Sequence, residues 1–194
     1  LYVHRHLNRL LPKRISYVIS TVLVGFILLS VVNHVFARIA LGIADSIFLQ
    51  IDKVVDEKIE QPSDALASGS AESLIDWDSI GLQGKNFIVK GPTKAQISKF
   101  WGKEAVQPLR VYAGVRTTKT IPERAKLALQ ELIRVGGFQR SVLVIATPTG
   151  TGWLDPGAVD TLEYLHRGDT AIVSMQYSYL PSWITILVDP YRSL

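Results

Sequence analysis

The sequence predicts an α/β protein in two parts: a membrane-spanning helix near the N-terminus and, behind it, a parallel sheet with crossover helices. Two observations carry this. Residues 15–32 form an uncharged apolar run, and residues 109–177 alternate strand-like with helix-like segments.

Ile15 to Val32 reads ISYVISTVLVGFILLSVV. As a helix it reaches about 27 Å, close to the thickness of the hydrocarbon core. A buried core helix and the apolar region of a signal peptide are the competing readings. A signal peptide has a shorter run closed by an A-x-A-like site, whereas this run passes directly into more helix-compatible sequence, so cleavage is not expected. Arg5, Arg9, Lys13 and Arg14 precede the run without any acid, while residues 33–78 hold nine acids against three bases. Positive-inside logic places the N-terminal flank in the cytoplasm and the rest on the outer side. The net charge of +4 is then mostly a basic anchor flank, the expected partner is a lipid bilayer, and no nucleic-acid partner is implied. The chain has no cysteine, which excludes disulfides, thiolate nucleophiles and thiolate metal sites.

Beyond the span, Val35, Phe36, Ile39, Ile43, Ile47, Phe48, Ile51, Val54, Val55 and Ile59 recur at three- and four-residue steps. This is an amphipathic juxtamembrane helix, expected to continue the span outward and pack against protein, and residues 1–60 are read as one anchor region. Residues 61–73, QPSDALASGSAES, have a linker's composition. Residues 74–107 carry turn signals at Ser79, Gly81, Gly84, Gly91-Pro92 and Gly102, with a short helix from Thr93 toward Phe100, and read as a lead-in.

The domain proper is expected over residues 108–194. Leu109 to Val115 is a strand, Pro122 to Arg134 a helix with proline in its first turn, and Gly136-Gly137 its stop. Ser141 to Ala146 is a near-continuous apolar run, as expected of a strand covered on both faces. Asp155-Pro156 opens a second helix that runs to about His166, and Thr170 to Tyr177 is a third strand. Strand, helix, strand, helix, strand implies a parallel sheet. Asp189-Pro190 resembles another helix start, and the chain opens on Leu1 rather than methionine. Both features lead to the expectation of a piece of a longer protein with an incomplete sheet.

Chemistry is expected at the carboxyl ends of the strands, where open parallel sheets gather ligands. The loop TPTGTGWLD, Thr147 to Asp155, leaves one strand and enters a helix. The backbone N–H groups of Thr149, Gly150, Thr151 and Gly152 are candidates to face an oxyanion or phosphate, since glycine lets backbone approach closely. A tight turn capped by threonines is the plainer alternative. No Lys-Ser or Lys-Thr follows these glycines and no G-x-G-x-x-G is formed, so nucleotide binding is disfavoured. Tyr177, Tyr179 and Trp183 are pocket candidates or core filling. His166 falls in the last turn of a helix, where it complements the dipole. His4, His6 and His34 flank the span, and no metal-ligand pair or cofactor is implied. No G-x-S-x-G elbow exists in the chain, and Ser174 and Ser178 lack flanking glycines.

The segments LIDWDSIGLQGKNFI (Leu74 to Ile88), PLRVYAGVRT (Pro108 to Thr117), VLVIATPTGTGWLDP (Val142 to Pro156) and GDTAIVSMQYSYLPSW (Gly168 to Trp183) together resemble a family of bacterial membrane-anchored α/β-hydrolases. The resemblance implies several N-terminal membrane helices followed by a catalytic α/β-hydrolase domain in a bacterial cell membrane. It implies an elbow like G-E-S-L-G, and a later acid and histidine, none with a matching position here. It also implies that Thr147 to Gly152 occupies the place from which an oxyanion N–H is donated. The expected fold is thus a transmembrane helix plus an incomplete α/β-hydrolase-type sheet. Two functions stay open: the anchor and front half of a serine hydrolase acting on an ester or lipid-like substrate, inactive alone, or a non-enzymatic membrane protein with an α/β interaction module.

Overall fold

The computed structural model describes residues 13–53 and 59–188. The flank with His4 and His6, the stripe residues Val54 and Val55, the Asp189-Pro190 helix start and the side chain of His34 lie outside the described residues. The chain divides into two compact units, Leu1–Ala44 and Asp45–Leu194.

Helix α1 runs unbroken from Lys13–Lys53, 41 residues, or about 60 Å. It overruns the expected boundary at Val32 because nothing between Asn33 and Lys53 breaks a helix: there is no proline, and Gly42 is the single glycine. In the first unit, Val18, Leu23, Val24 and Leu28 are all exposed, although 100° steps point them in different directions. Among the described residues no helix is long and apolar enough to cross a membrane, so the span expected over Ile15–Val32 has no support from that criterion. Ile15 and Ser16 at its start lie outside the residues whose side chains are described. Further along α1, Ile39, Ile43, Ile47 and Ile51 remain exposed. Of the stripe expected to pack against protein, Phe48 is half-buried and Ile59, beyond the helix, is buried in the core, while these four isoleucines are not covered by any described residue.

In the second unit, helices α2 (Leu82–Val89) and α3 (Lys94–Trp101) precede a three-stranded parallel sheet. Its strands are β1 (Leu109–Ala113), β2 (Val142–Ala146) and β3 (Thr170–Met175), in the order β1-β3-β2. Helices α4 (Ile121–Arg134) and α5 (Pro156–Leu165) make the crossovers, and α6 (Ser182–Val188) follows β3. Each crossover starts where local chemistry dictates. Thr120 and Glu123 form a reciprocal capping box with Pro122 in the first turn of α4, and Asp155 accepts from the Gly157 N–H at 2.9 Å ahead of Pro156 in α5.

Every residue of β1 is buried, and Val111, Tyr112, Ala113, Ala171 and Ile172 form the core with Ile80 from the lead-in. The expectation for β2 needs correction. It is not covered on both faces: Val142, Val144 and Ala146 are half-buried, while Leu143 and Ile145 are exposed, Ile145 at 83%. Among the described residues β2 is an edge strand that pairs with β3 alone, and the face carrying Leu143 and Ile145 borders an open groove beside α4. A continuous apolar run does not distinguish a central strand from an edge strand whose second face awaits a neighbour.

Residues 61–73 contain neither helix nor strand, as their composition implies, yet their middle is packed. Ser68 and Ser70 are buried, and the Glu131 carboxylate of α4 accepts from the Ser73 hydroxyl at 2.7 Å and the Leu74 N–H at 3.0 Å. Arg134 clamps the same carboxylate through Nε at 2.9 Å and a terminal nitrogen at 2.8 Å. Burial alone would raise the Glu131 carboxyl, but these donors and the Arg134 charge hold it below the usual carboxylate range. A depressed folded-state value stabilises the fold above the unfolded pKa of about 4.3, and that contribution is lost as pH falls through the folded value. Urea unfolding between pH 6 and pH 3 is expected to show the wild type losing its advantage over Glu131→Gln across that acid window. A difference between the two that stays constant with pH would contradict this.

Candidate functional site at the carboxyl edge of the sheet

The three strands end together, with Ala113 level with Met175 and Ala146 level with Ser174. The loops that follow them therefore meet at one edge. Gln176, 1% exposed, ties them together. Its N–H donates to the Ala113 carbonyl at 2.9 Å, and its side-chain amide donates to the carbonyls of Thr151 at 3.1 Å and Ser178 at 2.9 Å. Tyr112, fully buried, donates its hydroxyl to the Gly152 carbonyl at 2.8 Å. Burial, and then the negative charge of Asp52, push the Tyr112 hydroxyl up, so it stays a neutral donor. Arg124 of α4 donates to the Gln176 carbonyl at 2.9 Å and the Val115 carbonyl at 3.0 Å, locking the loops after β1 and β3 to the helix between them.

The loop Thr147 to Asp155 is held by its own bonds. The Thr149 N–H donates to the Trp153 carbonyl at 2.9 Å, the Gly152 N–H to the Thr149 carbonyl at 2.8 Å, and the Trp153 N–H to the Thr149 hydroxyl at 3.1 Å. The Gly150 N–H donates across to the Ser182 hydroxyl at 2.9 Å. Of the four amides singled out from sequence, those of Thr149, Gly150 and Gly152 are thus engaged within the chain. The Thr151 N–H has no such bond among the described residues. The glycines are needed for close approach: a Cβ on Gly150 would lie 2.1 Å from the Leu180 carbonyl oxygen, and one on Gly152, at φ +91°, 2.3 Å from the Tyr112 hydroxyl.

A groove of about 440 Å³ opens beside the start of this loop, between α4 and the exposed face of β2 and β3. Leu129, Leu132, Phe138, Ile145, Met175 and Tyr177 make its wall apolar, and Thr147 and Pro148 bound it toward the loop. Of the three aromatic pocket candidates, Tyr177 lines the groove and donates to the Ser182 hydroxyl at 3.1 Å. Trp183 is 67% exposed and Tyr179 half-buried, and neither lines it.

Two family profiles match the chain: one described as "Alpha/beta-hydrolase family N-terminus" over residues 1–92, and one described as "Alpha/beta-hydrolase family" over residues 109–194. The chain belongs to this α/β-hydrolase family. No curated protein and no solved structure matches it.

For an α/β-hydrolase, the residues that do not assemble are as informative as those that do. Ser174 is buried inside β3 with its hydroxyl unpartnered among the described residues. The Ser178 hydroxyl is occupied structurally, accepting from the Leu180 N–H and the Thr185 hydroxyl, both at 3.0 Å. His166 is exposed at the end of α5, by the amino end of β3 and hence at the opposite edge from the loops. Among the described residues no group of three His, Asp or Glu side chains is placed to hold a metal ion.

Sequence reasoning missed the supports of this edge. Asp52, in the last turn of α1, brings its carboxylate to this edge, 3.3 Å from Arg116 and against the α-carbon of Gly81. Burial outweighs the Arg116 charge and raises its carboxyl above the usual range. One signal was present: Asp52 is an acid directly after Ile51 in an otherwise apolar stripe.

Proposed function

We propose that this chain is the anchor and front half of a membrane-tethered serine hydrolase of esterase or lipase type. It supplies the sheet, the oxyanion-side loop and an apolar wall for the substrate, and it is inactive by itself. The observation that carries this reading is the loop after β2. It is braced by its own hydrogen bonds, lies at the carboxyl edge of a parallel sheet, and leaves the Thr151 N–H unspent among the described residues while its neighbours are consumed holding the turn. A donor fixed in advance toward developing negative charge is what acyl transfer requires, and a lost donor of this kind costs about 10²–10³ in kcat.

The nucleophile belongs to sequence outside these residues, because the chain has no G-x-S-x-G. The outer edge of β2, which pairs with no further strand among the described residues, suits the addition of one further parallel strand bearing it. The groove that reaches Thr147 suits an ester with an apolar acyl group. Tethering is supported by the apolar side chains exposed on every side of α1 from Tyr17 to Val32, which in water would be a large uncompensated apolar surface. The basic flank on the cytoplasmic side of a bacterial cell membrane and the α/β domain on the outer side complete the proposal.

A fluorophosphonate probe tests the chemistry. The longer parent protein is expected to label at a serine beyond Leu194, and the 194-residue chain to remain unlabelled. Labelling of the chain alone would overturn the claim of an external nucleophile, and no labelling of the parent would leave an interaction module as the better account. For topology, cysteines introduced near Leu1 and at the exposed Glu72 should react with an impermeant maleimide in intact cells at Glu72 only. Reaction near Leu1 alone reverses the orientation.

A further inference from the structure

The Gly150 N–H of the candidate loop is held from outside the loop. Its acceptor is the Ser182 hydroxyl at 2.9 Å, and the same oxygen accepts from the Tyr177 hydroxyl at 3.1 Å. A hydroxyl oxygen has two lone pairs, and both are used here. The backbone makes the same junction. A Cβ on Gly150 would lie 2.1 Å from the Leu180 carbonyl oxygen and 2.9 Å from the Ser182 nitrogen, so glycine alone lets the two segments approach this closely. Ser182 is itself a fixed point. The Ile184 and Thr185 N–H groups donate to the Pro181 carbonyl, both at 3.0 Å, and the Thr185 hydroxyl donates to the Ser178 hydroxyl at 3.0 Å. Tyr177 completes the arrangement, because it lines the apolar groove while its hydroxyl reaches Ser182. Two hydrogen bonds thus lead from the wall of the groove to the residue directly before Thr151, whose N–H is unspent among the described residues.

We propose that Tyr177 and Ser182 are a positioning pair that couples the apolar groove to the Thr149–Gly152 loop, so that a substrate packing its apolar part on Tyr177 gains in rate as well as in binding. Tyr177 is half-buried, and an empty groove leaves its ring room to turn away from Ser182. An alkyl chain in the groove packs against the ring, keeps its hydroxyl on Ser182, and through Ser182 keeps Gly150 and the next N–H in place. Binding energy from a part of the substrate that does not react is in this way spent on orienting a donor. The gain in rate rests on the proposed function, whereas the coupling between Tyr177 and Gly150 holds for any use of this edge.

Hydrogen exchange followed by mass spectrometry, on the intact chain in lipid nanodiscs, tests the coupling. In Ser182→Ala and in Tyr177→Phe, amides in a peptide spanning Gly150–Trp153 are expected to exchange about fivefold faster than in the wild type, as for one ordinary hydrogen bond lost, while those of α4 from Ala128 to Arg134 change less than about twofold. Ser182→Thr keeps the acceptor and should return the loop to within about twofold of wild type. The double variant should match Ser182→Ala alone, because both changes act through one oxygen. An unchanged loop in both single variants overturns the proposal, as does equal acceleration in α4, or a double variant whose effect is the product of the two. The gain in rate is read in the parent protein with fluorophosphonates bearing an ethyl or a dodecyl chain. The maximal labelling rate should be about threefold or more higher with dodecyl in the wild type, and equal for the two probes in Tyr177→Phe, with the half-saturating dodecyl concentration within about twofold because the ring remains. A Tyr177→Phe parent that keeps its dodecyl advantage reduces Tyr177 to groove lining and overturns the proposal. A loop that responds as expected in a parent with no probe labelling keeps the coupling and removes the hydrolase reading.

Discussion

Replacing Glu163 with alanine is expected to lower the unfolding free energy by about 3–5 kcal/mol, because it strands a buried guanidinium. Arg110 lies within β1 and is 8% exposed. It donates to both oxygens of the fully buried Glu163, through Nε at 2.8 Å and a terminal nitrogen at 2.7 Å. It also reaches Asp160 at 2.5 Å and the Phe87 carbonyl at 2.6 Å, and stacks over the Phe87 ring at 4.6 Å. The bidentate pair joins α5 to the far strand of the sheet, and the Phe87 contact adds α2. Removing one member leaves the other desolvated and half-bonded, whereas removing both costs less. Arg110→Met combined with Glu163→Leu should therefore be more stable than Glu163→Ala by at least about 1 kcal/mol. Denaturant unfolding of the three variants decides this, and an ordering in which the double variant is least stable contradicts the assigned cause.

Substituting Gly152 by alanine is expected to cost about 2–6 kcal/mol and to disturb the candidate loop selectively. Two terms add. At φ +91° an alanine is strained by about 1–3 kcal/mol. Its methyl group would also overlap the Tyr112 hydroxyl and approach Gln176, both fully buried and unable to yield, at about 1–3 kcal/mol more. Gly102 provides the control. It too has a positive φ, of +61°, but a Cβ there meets nothing within 4 Å, so Gly102→Ala should cost only about 1 kcal/mol. Equal losses at the two sites, measured by urea unfolding, would remove the packing argument. If the loop donates to an oxyanion, the parent hydrolase carrying Gly152→Ala should also label more slowly with a fluorophosphonate, even at temperatures where it remains folded.

The sheet was legible in the sequence because its signals are local. Thr120 with Glu123, Asp155 with Pro156, and Gly168 at φ +78° mark the limits of the crossovers through capping and turn chemistry within a few residues. The candidate loop was legible for the same reason, as a glycine-bearing turn between a strand and a capped helix. Which of its amides is free was not, since the answer depends on Ser182, 32 residues further along the chain, accepting from Gly150. The coverage of β2 was misjudged because an apolar run states only that a strand avoids water on both faces. It does not state whether both neighbours are at hand.

By itself, then, the sequence determined a parallel α/β domain after a long helix, an acidic stretch after a basic flank, and a glycine-bearing loop at the carboxyl edge of the sheet. Periodicity, caps and charge order act over a few residues and survive in any context. The tertiary structure alone decided that β3 lies between β1 and β2, that Glu131 fastens residues 61–73 to α4, and that Gln176 ties the loop to the end of β1. Each of these joins residues tens of positions apart. Each depends on a polar group that burial obliges to find a partner, and which partner that is emerges only when the chain has packed.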